Sequence, residues 1–125
     1  MVGTWKDVGF ALAGTAGLTA LAGRGDVVGN DPVTLTLGSA RANASAFLVV
    51  GLSGLFVPFK GGTLVPDADA ILGPFATGAT GSVVLPGAWP VGLPELLALY
   101  FQMWIQDPAG PAGFAASNGV TCLTP

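Results

Sequence analysis

Leu96-Leu97-Ala98-Leu99-Tyr100-Phe101-Gln102-Met103-Trp104-Ile105-Gln106-Asp107 is the stretch whose reading decides the fold. Its odd positions are Leu97, Leu99, Phe101, Met103 and Ile105; its even positions include Tyr100, Gln102, Trp104 and Gln106. A period of two sends these sets to opposite faces of a β-strand, whereas a helix would scatter both around its circumference. Asp107-Pro108 ends the strand, because proline has no N–H to give to a ladder. The stretch therefore reads as a central strand, and the remainder of the chain as what pairs with it and covers it.

Working outward, Val33-Thr34-Leu35-Thr36-Leu37 alternates cleanly, and Ser45–Leu52 is a near-continuous apolar run, as expected of a strand buried on both faces. Trp5–Leu12, Ala70–Phe75, Ser82–Leu85, Phe114–Ser117 and Val120–Thr124 read as further strands. Pro58 and Gly61-Gly62 limit the segment 55–66 to short extended pieces or an edge. The glycine-dense segment 13–30 predicts turns, and Asn118-Gly119 a hairpin turn. Strands at intervals of roughly 8–12 residues, with turn chemistry between them, predict an all-β fold. The expectation is a single domain over residues 1–125: a two-layer antiparallel β-sandwich, jelly-roll or immunoglobulin-like, of about eight short strands.

Composition narrows the function. Of 125 residues only 9% are charged, with Lys+Arg 4 against Asp+Glu 7 and a net charge of −3. Soluble domains run near 25% charged, and interspersed charge is what keeps a surface dispersed in water. So sparse a supply predicts a surface covered by another chain, hence self-association. Four cations, Lys6, Arg24, Arg41 and Lys60, are too few for a nucleic-acid-binding patch. Gly and Pro cut every apolar stretch well short of the ~20 residues of a membrane span. Val8–Gly23 imitates a signal peptide, but Trp5 and Asp7 fit its n-region poorly and Gly and Thr dilute its apolar segment, so it reads as part of the domain.

Catalytic chemistry finds little to work with. The chain has no histidine, which excludes Ser-His-Asp and Cys-His arrangements, and its single cysteine, Cys122, excludes an internal disulfide or a Cys/His zinc site. Gly14-Thr15-Ala16-Gly17 lacks the Lys-Ser/Thr of a phosphate loop and reads as a turn. Asp67 and Asp69 alternate in a loop, but no EF-hand pattern follows them. No pair is marked out among Glu95 and the six aspartates for glycoside hydrolysis. The reading is a protein that is not an enzyme and needs no cofactor, with Cys122 as a candidate interchain thiol.

Aromatic residues carry the alternative function, carbohydrate binding. Tyr100, Gln102, Trp104 and Gln106 share one face of the central strand, and Trp89 lies in the irregular link before it. Flat rings with amides beside them suit the stacking and hydrogen bonding of a sugar. In a chain with so much apolar surface to cover, burial of Tyr100 and Trp104 beneath a second layer or a neighbouring subunit is the competing expectation.

Two strings add a resemblance: Pro58-Phe59-Lys60-Gly61-Gly62-Thr63-Leu64-Val65-Pro66, and Leu99–Pro108 followed by Gly113-Phe114 and Ala116-Ser117-Asn118. Together they resemble a recurring module at the C-terminal ends of large secreted bacterial proteins, of planctomycete and myxobacterial type. The resemblance implies a secreted or cell-surface β-domain, and it transfers no catalytic residue.

Overall fold

Alternation along the opening stretch persists in three dimensions. In the computed structural model, which describes residues 4–94 and 96–124, the longest strand is Ala98–Gln106. Phe101, Met103 and Ile105 enter the main core, whereas Trp104 joins a separate cluster on the opposite face.

In chain order the strands are β1 (Thr4–Gly9), β2 (Ala20–Arg24), β3 (Pro32–Gly38), β4 (Ser45–Gly51), β5 (Gly54–Phe59), β6 (Gly62–Pro66), β7 (Ala70–Ala76), β8 (Val83–Ala88), β9 (Ala98–Gln106), β10 (Phe114–Ala116) and β11 (Gly119–Leu123). Among the described residues no helix is long and apolar enough to cross a membrane. The larger sheet runs β1-β11-β9-β4-β7, with β10 also paired to β9; the smaller runs β2-β3-β8; β5 and β6 form a hairpin. All strand pairings are antiparallel.

The two sheets pack face to face. Leu21, Leu37 and Val83 of the smaller sheet meet Leu48, Met103 and Ile105 of the larger. Continuity of the apolar run in β4 has the predicted cause: Ala46 and Leu48 point into this core, and Val49 into the outer cluster with Trp104. The β5–β6 hairpin lies across the outer face of β9, where the amide of buried Gln102 bonds Val65 and Thr63. Its two-residue loop, Lys60-Gly61, has φ of 49° and 81°. That pair of positive values is the I′ geometry matching the twist of two strands.

Among the described residues eleven strands replace the expected eight or so, and two local expectations fail for identifiable reasons. Residues 20–24 are a strand and not part of a turn region. Gly23 is there because a Cβ would coincide with the ring of Trp5, so its role is close approach and not chain reversal. Nor does Asn118-Gly119 reverse the chain. β10 and β11 both pair with β9, and the register slips by one residue between Ala116↔Trp104 and Val120↔Phe101. Two buried side chains hold this bulge. The Ser117 hydroxyl accepts from the Met103 N–H (2.8 Å) in place of a ladder carbonyl. Asn118 accepts from the Leu21 N–H (2.7 Å) and donates to the Leu21 carbonyl (3.1 Å), tying the two sheets together.

Candidate functional site

The hairpin covers the outer face of β9 but leaves part of β4 and β7 bare. Between them runs an apolar groove of about 320 Å³. Phe47, Val49 and Trp104 contribute to it from the large sheet, and Ile71 from the edge strand. The hairpin adds Phe59, Lys60 and Leu64, the following loop Ala68, and β10 Phe114. Phe59 stands edge-on to Trp104, with ring centroids 5.1 Å apart at 83°. Among the described residues Lys60 is the one charged residue of the lining. Its ammonium sits 5.2 Å from the centroid of Phe59 and 4.7 Å from that of Phe114, within reach of a cation–π attraction to both.

This arrangement decides between the two expectations for the outer face of β9: Gln102 and Trp104 lie buried beneath a second layer and form no open aromatic platform. The Gln102 amide is fully used: Oε1 accepts from the Val65 N–H and the Trp104 indole N–H, and Nε2 donates to the carbonyls of Thr63 and Ser117. It has nothing left for a sugar hydroxyl. Tyr100 is half-buried, with Phe56 edge-on at 6.2 Å, and Gln106 is exposed at the far end of the strand. Trp89 is buried in the core between the sheets, not on the outer face. Of the five candidate residues, only Trp104 lines the groove.

Cys122 is likewise corrected as an interchain thiol. It is 1% exposed and packed in the inter-sheet core, and burial pushes its pKa up to about 11. Thiol reagents are expected to modify it only as the protein unfolds, at a rate that follows denaturant concentration. Rapid stoichiometric labelling of the folded chain at neutral pH would contradict the burial.

Asp69 accepts from the Leu52 N–H (2.9 Å), a structural bond from the β6–β7 loop to the β4–β5 turn. Among the described residues no three His, Cys, Asp or Glu side chains gather as a metal site would require. Glu95 lies outside the described residues.

The groove escaped sequence reading because its parts come from distant segments. Phe47 and Val49 are alternate members of a run that is apolar throughout, so nothing in that run marks which face stays open. Phe59 and Lys60 are placed by a hairpin whose landing site on β9 has no local signature. No family model matches this chain, and neither a curated protein nor a solved structure does.

Proposed function

We propose that the domain is a non-catalytic structural module that works by self-association, as an assembly subunit or a module of a secreted surface protein, with the free edge of β7 as its contact. The observation that carries this reading is the character of that edge. β7 ends the larger sheet, is exposed at every position except Phe75, and contains no charge from Ala70 to Ala76. Ile71 is 62% exposed and Leu72 48%. Free edges are ordinarily blunted by charge, by inward-pointing polar groups or by cover. Here Pro74 removes one donor, and Ala70-Ile71-Leu72 keeps a pairing-competent backbone with apolar side chains. Two such edges meeting antiparallel would extend the sheet and bury both apolar patches. The low overall charge adds support, since little like-charge repulsion opposes the approach.

Size-exclusion chromatography with light scattering tests the reading. The expected result is a dimer or larger species at micromolar concentration, and a shift to monomer in Ile71→Lys, whose ammonium cannot be buried at an edge-to-edge contact. A wild-type chain that stays monomeric through the micromolar range sinks the proposal. So does an oligomer that ignores the substitution at Ile71, as far as β7 is concerned.

A further inference from the structure

We infer that the groove between the β5–β6 hairpin and the outer face of β4 is a binding site for a fatty acid, its acyl chain lying against Phe47, Phe59 and Ile71 above the buried Val49 and Trp104, and its carboxylate paired with Lys60. Three observations carry this, and the groove shares Ile71 with the β7 edge. First, every lining side chain other than Lys60 is apolar, aromatic or alanine. A ligand that needs hydrogen bonds along its length would lose its hydration and regain nothing, so the occupant must have an apolar body. Second, the volume of about 320 Å³ falls at the lower end of the ~300–1,000 Å³ typical of small-molecule sites. It suits a single chain rather than a two-chain lipid.

Third, the charge sits in one place. Lys60 belongs to a tight turn of positive φ, which fixes where its side chain leaves the backbone. The faces of Phe59 and Phe114 then hold its ammonium at the rim. Among the described residues no acid lines the groove; Asp67 and Asp69 flank Ala68 outside the lining, and the Asp69 carboxylate is engaged by the Leu52 N–H. One fixed cation at the end of an apolar slot complements one anion at the end of an apolar chain.

The test is calorimetric titration of the full chain with decanoate, dodecanoate and tetradecanoate, beside dodecanol and dodecyltrimethylammonium. Affinity is expected to rise along the acid series by up to about fourfold per methylene buried. Lys60→Met is expected to weaken dodecanoate about two- to fivefold, the range for an exposed ion pair, and to leave dodecanol unchanged. Ala68→Phe, a substitution in an exposed loop position, fills the groove and is expected to abolish binding of both. Absence of binding, affinity indifferent to chain length, or dodecyltrimethylammonium binding as well as dodecanoate would each overturn the inference. Wild-type affinity in Ala68→Phe would move the ligand elsewhere and overturn it too. Light scattering on the same samples keeps this result apart from association through β7. If dodecanoate binds only after Leu72→Lys, an edge substitution outside the groove lining, has produced a monomer, the groove's native occupant is a second copy and the fatty-acid assignment fails.

Discussion

Replacing Gln102 by leucine is expected to destabilise the fold by about 3–5 kcal/mol and to loosen the β5–β6 hairpin ahead of the sandwich. The amide uses its whole hydrogen-bonding capacity, two acceptor and two donor directions, on groups that have been taken out of water. It bonds the Val65 N–H at 2.9 Å, the Trp104 indole N–H at 3.0 Å, the Thr63 carbonyl at 3.0 Å and the Ser117 carbonyl at 3.1 Å. Leucine matches its bulk and bonds none of them. A single satisfied bond contributes about 1 kcal/mol net, but a buried partner left alone costs about 1–3 kcal/mol. The four do not add, because lifting the hairpin lets water reach some of them. That relief sets the order of events. Amide hydrogen exchange at Val65 is expected to accelerate more than exchange in β4 or β9. Glutamate is no substitute, since its second oxygen would face the carbonyls of Thr63 and Ser117. A loss below about 1 kcal/mol, or exchange raised equally everywhere, would show that the apolar contacts of Trp104 alone seat the hairpin.

The same residue marks how far sequence reading reaches. Period two on Leu96–Asp107 places Gln102 correctly on the face opposite Met103, and the all-β architecture follows from that pattern repeated along the chain. What periodicity cannot give is the identity of the layer above each face. Tyr100, Gln102 and Trp104 have the same alternation whether a sugar, a hairpin or another chain lies over them. The hairpin wins because Lys60-Gly61 closes a two-residue turn and Val65 offers an N–H where Gln102 needs a donor. That match is made between residues 37 apart in sequence. Glycine was hard to read for a related reason. At Gly61 it supplies a left-handed turn, a local property that composition signals well. At Gly23 it makes room for a ring eighteen positions earlier, and the same letter then misleads. Asn118-Gly119 is a third instance: a pair that favours reversal is held straight by side-chain bonds to another sheet.

Asp107 is where the second large effect is expected, and there pH supplies the control. The carboxylate is 1% exposed. Burial by itself would raise its pKa, but that tendency is outweighed. Oδ1 accepts from the Thr15 hydroxyl (2.6 Å) and the Ala109 N–H (2.9 Å), Oδ2 accepts from the Thr15 N–H (2.7 Å), and the Arg41 charge adds to them, so the net shift is downward. A folded value below the unfolded one, about 3.9, means that the ionised group stabilises the fold above that pH. The contribution is lost as pH falls through the folded value. Asp107→Asn keeps one carbonyl acceptor but turns an NH₂ toward a donor that the carboxylate had satisfied. The expected cost near neutral pH is about 2–3 kcal/mol, in the range for bonds to a charged acceptor. The gap between wild type and variant should narrow below about pH 4, because the wild type then gives up its charge as well. Thr15→Val, removing the hydroxyl alone, should produce a smaller loss of about 1–2 kcal/mol with the same pH dependence. Gly14→Ala should fail by another route, because its Cβ would overlap the Asp107 carboxylate and force the 14–17 turn away from the end of β9 at any pH. Urea denaturation of the four proteins between about pH 3 and 7 separates these cases. If the Asp107→Asn deficit is as large in acid as at neutrality, the carboxylate's role is shape rather than charge, and the account of the turn must change.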